Sequence, residues 1–538
     1  MPHSMLFGRA RAALIRSGAC AAVLLILRAA PLRATDFDLQ TATIGDIDAA
    51  FAAGALTSEQ LTRLCLARIA AYEPKLHAVI TLNPNAIEIA KALDAERKAK
   101  GPRSALHGIP VVFKDNYDTG DLQTSGGFFG LKGSIPPQDS TIVGKLRAAG
   151  AIILAKVNLS EMASGGQLSS LGGQSHNPHD LGATPGGSSG GTGVSIAAGY
   201  APLGYGTDTG GSIRSPSTSN GIVGLKPTHG LISRAGIIPL ALSFDTGGPM
   251  ARSVYDIAVS LNLTVGLDPR DDATKKSEGK TQTDYTKFLD KGALKGARIG
   301  VARDFLGQDP EVDTTIESAL SAMRRAGAVL IDIKYPETIL KIRADTMTIM
   351  MASEYKAQIE TYLATLKPGY PKTLAEMIAI SETVMSPTPE GVIPNLGRLA
   401  LYRAEQKTGL AMNDPVYLAM KNYALPFVRE TLYGLFANNK LDAIVYPTSP
   451  RRPAKIGEFP PAAMAANSPT NFANLSGFPD LIVPAGFTTN GLPIGISFFG
   501  TAFSEPKILA IGYAFEQATH SIRRPVNAPA LPGEKFTY

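Results

Sequence analysis

Two serines set among glycines are the residues whose type and spacing could do chemistry. Ser188 lies in Pro185-Gly186-Gly187-Ser188-Ser189-Gly190-Gly191, and Ser212 lies in Gly206-Thr207-Asp208-Thr209-Gly210-Gly211-Ser212-Ile213-Arg214. Glycine permits positive φ and a close approach of backbone to a ligand, so successive N–H groups can converge on one oxygen. Ahead of Ser212, the amides of Thr209, Gly210 and Gly211 could form such a set around a carbonyl attacked by the hydroxyl. Each donor of an oxyanion hole is worth ~3–4 kcal/mol.

A serine nucleophile needs a base. Gly187-Ser188-Ser189-Gly190-Gly191 has the G-x-S-x-G spacing of a nucleophile elbow, which works with a histidine. The seven histidines offer no partner: His3 lies in a leader-like segment, His176 and His179 straddle Pro178, and His77, His107, His229 and His520 read as structural. No Gly-Lys-Ser/Thr follows the glycines, so this is not a phosphate loop. Ser277-Glu278-Gly279-Lys280 matches S-x-x-K but falls in a charged stretch and reads as a solvated loop. Neutral lysine is the usual substitute for histidine. Lys114, at the end of the apolar run Val111-Val112-Phe113, is the candidate; burial would lower its pKa and the neighbouring Asp115 would act against that. The alternative is an ordinary strand-end lysine paired with Asp115.

The elements that must position these groups follow from pattern. Residues 43–72 read as two helices, the second opened by a capping box at Thr57-Ser58-Glu59-Gln60. Residues 86–99 read as a helix, 108–116 as a short buried strand with polar residues at its end, and 142–149 and 151–155 as helix then strand. Between 165 and 230 the chain is dense in glycine, yet apolar segments at 194–198 and 222–225 are embedded there. A linker has no use for those, whereas a packed active-site framework does. Residues 252–440 read as mostly helical with polar loops, and short strands return at 443–446, 481–484 and 494–499. Strands at both ends enclosing helices imply one large α/β domain whose sheet is completed late in the chain.

Composition sets the class. Of 538 residues 44% are apolar and 18% charged, which describes a globular chain with ample core and rules out general disorder. The formal charge is +6, but Arg9, Arg11, Arg16, Arg28 and Arg33 supply five of these six within the segment 1–34, which holds no Asp or Glu; the rest carries +1. A nucleic-acid partner is therefore not indicated. That first segment, a basic start followed by about ten apolar residues, is too short for the ~20 a bilayer span needs and reads as an export signal. It implies a periplasmic or secreted protein with no membrane attachment after its removal, or a cytoplasmic one if it is not a signal. With Cys20 inside it, Cys65 is alone and cannot form an internal disulfide; Leu61, Leu64, Cys65 and Ile69 share a helical face, so a buried thiol is expected.

The two serine runs, with Gly221-Ile222-Val223-Gly224-Leu225-Lys226-Pro227-Thr228, resemble the amidase signature family. The resemblance extends to His107-Gly108-Ile109-Pro110 with Lys114-Asp115-Asn116, to Asn177-Pro178, to Asn474-Leu475-Ser476-Gly477-Phe478-Pro479 and to Gly491-Leu492-Pro493-Ile494-Gly495. It covers nearly everything after residue 40. The separation of Ser188 from Ser212 is the one the family requires, and Lys114 stands well upstream of both. The resemblance implies one α/β amidase domain over 35–538 after a signal at 1–34, with a large mixed twisted sheet wrapped by helices. It further implies that Ser212 is the nucleophile, Ser188, after a cis peptide bond, the bridging serine, and Lys114 the base. Ser189, Asp208 and Arg214 would hold the site by hydrogen bonds. Met162, upstream of Ser188, would line the acyl pocket or be plain core. Neither a metal nor an organic cofactor is implied. The activity implied is hydrolysis of an amide to acid plus ammonia or amine through an acyl-enzyme on Ser212. The alternative is the glutamine-hydrolysing A subunit of a tRNA-dependent amidotransferase. A silent binding protein on the same fold is disfavoured by the presence of all three catalytic residues. Aliphatic, aryl and peptide amides and carbamates stay open as substrates, as does the oligomeric state.

Overall fold

The computed structural model describes residues 35–458 and 468–538; the expected signal at 1–34 lies outside them. Helices Ile44–Ala52 and Ser58–Leu76 fill the first expected helical stretch. The Thr57 hydroxyl accepts the Gln60 N–H at 3.1 Å while the Gln60 side chain accepts the Thr57 N–H at 2.9 Å, satisfying two donors that a helix start leaves open. Cys65 is buried on the inner face of that helix, and burial pushes its thiol up to about 12, so it packs as a small apolar group.

The strands, in chain order, are β1 (Asp36–Asp38), β2 (Val79–Leu82), β3 (Pro110–Lys114), β4 (Ile152–Val157), β5 (Leu168–Ser169), β6 (Gly173–Gln174), β7 (Leu203–Asp208), β8 (Val223–Lys226), β9 (Thr246–Ala251), β10 (Arg298–Ala302), β11 (Val329–Ile333), β12 (Ala443–Pro447), β13 (Asp480–Phe487), β14 (Pro493–Phe499) and β15 (Lys535–Thr537). Eleven of them form one sheet in the order β11-β10-β12-β14-β13-β8-β9-β7-β3-β4-β2. It is mixed: β3 is parallel to β4 and β7, and β10 to β11 and β12. Between these two parallel sets, β7, β9, β8, β13, β14 and β12 alternate in direction. β1 and β15 pair antiparallel and join the two ends of the described chain.

The stretch expected to be mostly helical contains two strands, β10 and β11. Each has five residues, and between them runs the helix Pro310–Arg325, capped by Asp309. Two parallel neighbours require such a crossover. The 16-residue amphipathic helix dominates the local pattern, and β11 is an edge strand with an exposed Val329, so neither strand stands out as a buried apolar run. The charged stretch 268–280 also differs from expectation. It contains a short 3-10 helix, Asp272–Ser277, in which Ser277 is buried and donates to the Thr274 carbonyl at 2.7 Å, so the S-x-x-K serine is a structural hydroxyl.

The long helix Glu337–Ala364 packs over the sheet end that carries Lys114: Tyr362 donates to Asp118 at 2.8 Å, and Glu354 accepts the Ser243 N–H at 2.8 Å. Sheet and helices make one α/β domain, and the C-terminal ends of the parallel strands β3, β4 and β7 form the edge where such sheets place their ligands.

Candidate active site

β3 is buried at every position. Its parallel pairing with β7, Phe113 opposite Tyr205, brings Lys114 beside Thr207. The Lys114 amine donates to Ser188 Oγ at 2.6 Å and to Thr207 Oγ1 at 2.8 Å. Thr207 Oγ1 also accepts Asn116 Nδ2 at 3.0 Å. Asp115 turns elsewhere: it lies 3.0 Å from Lys156 and accepts the Ser125 N–H at 3.0 Å. The expectation that Asp115 is the carboxylate acting on Lys114 is thereby corrected. Successive side chains leave an extended segment on opposite sides. Lys114 has no exposure, and burial pushes its amine down to about 7 against the pull of Asp208 and Asp245.

The peptide bond Gly187–Ser188 is cis. The Ser160 N–H holds the Ser188 carbonyl at 3.0 Å, and the Ser189 N–H donates to the Ser212 carbonyl at 3.1 Å, so the two serine runs are tied backbone to backbone. Ser189 is locked to β7 by a reciprocal pair: its hydroxyl donates to the Thr207 carbonyl and accepts the Thr207 N–H, both at 3.2 Å. Gly206 makes this approach possible, since a Cβ there would lie 2.6 Å from Ser189 Oγ. The runs continue into the helices Gly190–Ala197 and Arg214–Asn220. Lys114 and Ser188 are buried, whereas Ser212 is half-buried, so Ser212 is the member of the three open to an incoming group.

Asp208 and Arg214 form the hub beneath Ser212. Arg214 donates to both Asp208 oxygens at 2.9 and 3.0 Å, to Asp480 at 2.9 Å, to the Thr470 carbonyl at 2.7 Å and to Asn474 Oδ1 at 2.6 Å. Asp208 also accepts the N–H groups of Gly211 at 2.8 Å and Ile213 at 3.0 Å. Burial acts to raise the Asp208 pKa, but Arg214 and these donors hold it well below the usual carboxylate range. A carboxylate with this many donors stays charged and fixes the turn that carries Ser212. One expectation is corrected here. Of the three amides expected to converge on a single oxygen, that of Gly211 is engaged by Asp208, and the carbonyl at the other end of its peptide is held by Thr470 Oγ1 at 3.0 Å. Gly211 has φ +131°, which explains the glycine; the peptide braces the turn and is not free to donate to substrate. Among the described residues the Thr209 and Gly210 amides make no backbone hydrogen bond.

Met162 is buried in a cluster with Phe128, Ile238, Leu240 and Tyr355, close along the chain to the Ser160 that holds Ser188. The histidines set aside are bound to carbonyls: His107 to Leu93, His176 to Leu181, His179 to Asn220 and His229 to Leu242. Sequence reasoning missed Thr207, Asn116, Thr470 and Asp480. The first two stand beside residues already singled out, so their position was a signal; the last two reach the site from the far end of the chain, and only the fold shows it.

Residues 60–509 match the amidase family. A probable amidase of Arabidopsis thaliana is 37% identical over 503 residues, covering 91% of this chain and 92% of that protein. The A subunit of the glutamyl-tRNA(Gln) amidotransferase of Thermoanaerobacter pseudethanolicus is 34% identical over 512 residues, covering 91% and 98%. Among solved structures, the peptide amidase of Stenotrophomonas maltophilia superposes with a TM-score of 0.82 at 37% identity, covering 90% of this chain and 99% of that one. The chain belongs to the amidase signature family and is an enzyme that hydrolyses carboxylic amide bonds.

Proposed function

We propose that Ser212 is the nucleophile, Ser188 the proton bridge and Lys114 the base of a free-standing amidase. The observation that carries this reading is the buried Lys114 amine, 2.6 Å from Ser188 Oγ and pushed down to about 7. A neutral amine accepts the Ser188 proton while Ser188 takes that of Ser212, and the Ser212 oxygen attacks the amide carbon. The Thr209 and Gly210 amides supply donors for the tetrahedral oxyanion. The Lys114 ammonium then returns its proton through Ser188 to the leaving nitrogen, which departs as ammonia or amine. Water repeats the sequence on the acyl-enzyme and releases the acid. Ser189, Asp208 and Arg214 hold the two serine runs in register, and Met162 belongs to the apolar side of the acyl pocket.

The likeness to a peptide amidase supports peptide amides as the first substrate class to try, and the basic and apolar leader at 1–34 supports export. The amidotransferase relatives support a second reading, in which the chain hydrolyses glutamine as the A subunit of such a complex. The test is product release from simple, aryl and peptide amides and from glutamine, with Ser212→Ala as the control. Turnover of one amide class, lost in the variant, is the expected result. Silence except for weak glutamine hydrolysis would transfer the reading to the amidotransferase.

A further inference from the structure

Away from the serines, a cavity of about 350 Å³ opens behind the helix Asn471–Ser476. Its wall includes Lys276, Lys280, Arg429, His229, Thr228 and Asn474, and neither Asp nor Glu lines it. The three cations come from separate places: Lys276 from the 3-10 helix Asp272–Ser277, Lys280 from the loop after it, and Arg429 from the helix Leu425–Asn439. Their partners are not carboxylates. Lys276 Nζ faces His229 Nδ1 at 3.3 Å, Lys280 Nζ sits 4.4 Å from the centre of the Phe503 ring, and Arg429, a residue of the cavity wall, donates through Nε to the Ser476 carbonyl at 3.0 Å. Among the described residues none of the three has an ion pair, and the segments outside that description, 1–34 and 459–467, contain no Asp or Glu. Neighbouring Arg234 and Lys275 show the contrast, for each is matched, to Asp271 and Asp272.

Like charges gathered on one cavity repel, and here desolvation of the amine, Arg429 and Arg234 lower the Lys276 pKa against the weaker pull of Asp271, which is itself paired with Arg234. An anion entering the cavity relieves that repulsion, and a guanidinium edge with two ammonium groups matches the oxygens of a carboxylate or a phosphate. The Thr228 hydroxyl, which accepts the Phe503 N–H at 2.8 Å and keeps its own proton to donate, adds a neutral polar partner. We propose that this cavity is an anion-binding site for a small ligand bearing a carboxylate or phosphate group. Its floor is shared with the hub under Ser212, because Asn474 also donates to Asp208 at 2.9 Å.

Calorimetric titration of the full chain with inorganic phosphate, and separately with acetate at matched ionic strength, tests this without reference to amide turnover. Saturable one-site binding of either anion is expected, weakened about tenfold or more by Lys276→Ala and by Arg429→Ala. Whichever anion binds more tightly names the class. Lys275→Ala, on the same turn but paired outside the cavity, leaves the affinity unchanged. The Lys276 side chain bonds the His229 ring and no backbone group, so its variant folds even where that of Arg429, which holds the Ser476 carbonyl, does not. Absence of saturable heat for both anions, or undiminished affinity in the Lys276 variant, would overturn the site while leaving the amidase reading untouched.

Discussion

Lys114 and Lys156 stand on neighbouring parallel strands, in adjacent rows of one register, and neither has any exposure. Burial lowers the pKa of both. Their surroundings differ in one respect. Lys156 lies 3.0 Å from Asp115 and also donates to the Thr124 hydroxyl at 2.7 Å and the Gln123 carbonyl at 3.0 Å, a nest that keeps an ammonium charged. Lys114 meets two hydroxyls, and among the described residues it has no ion pair. Burial alone therefore does not make a base. The base role proposed for Lys114 rests on the partner that would hold its charge being withheld, and the alternation that sends Asp115 to Lys156 does the withholding.

The largest effects separate chemistry from scaffold. Ser212→Ala should lower kcat by about 10⁴-fold or more, because nothing replaces the attacking oxygen. Its melting temperature should match the parent, since the Ser212 hydroxyl is half-buried and outside the hub. Lys114→Met should lower kcat/KM by ~10²–10⁴-fold, the usual worth of a positioned base. Because it strands no partner charge, its unfolding free energy in urea should hold or rise. Lys156→Met should do the reverse: buried Asp115 loses its ion-pair partner, at a cost of ~3–5 kcal/mol in stability, with turnover by the folded fraction largely retained. An inactive but stable Lys156 variant beside an active Lys114 variant would exchange the two roles.

The contrast also marks what the sequence could reveal. Ser188 and Ser212 were singled out by the glycines around them and Lys114 by the apolar run before it, their joint roles by the resemblance to the amidase signature family, and the Thr57 cap was legible because its two partners lie within one helical turn. The destination of Asp115 was not legible: adjacency to Lys114 suggested a pair, and the pairing with Lys156 depends on two strands meeting in one register. The Gly211 amide failed for the same reason, since its competitor Asp208 is local but is aimed there by Arg214, Asn474 and Asp480 acting together. Strands β10 and β11 were masked by the helix between them. The two strands were hidden by local pattern, whereas the partners of Asp115 and of the Gly211 amide are set by segments far apart in the chain.

The base reading carries a signed pH dependence. Burial depresses the Lys114 pKa to about 7, so the neutral, proton-accepting form predominates above that value. Below it kcat/KM should fall about tenfold per pH unit, and above it the profile should be level. A limb near the ordinary lysine value of 10.5 would mean that the amine is not desolvated during turnover, and the comparison with Lys156 would lose its basis.

The smallest effect probes the hydroxyls that take the place of a carboxylate. Thr207 Oγ1 accepts from both Lys114 and Asn116, so it supports the ammonium that forms when Lys114 takes a proton. Thr207→Val keeps the shape and removes that acceptor. A hydrogen bond to a charged group contributes ~1.5–3 kcal/mol, so kcat/KM should drop roughly ten- to a hundredfold. The acidic limb should also move to lower pH, because a lost bond to the charged form disfavours that form. Thr207→Ser restores the hydroxyl and should recover most of the rate and the original limb. A purely structural threonine would instead lower stability in both variants, with the limb unmoved, and Lys114 would then depend on Ser188 alone.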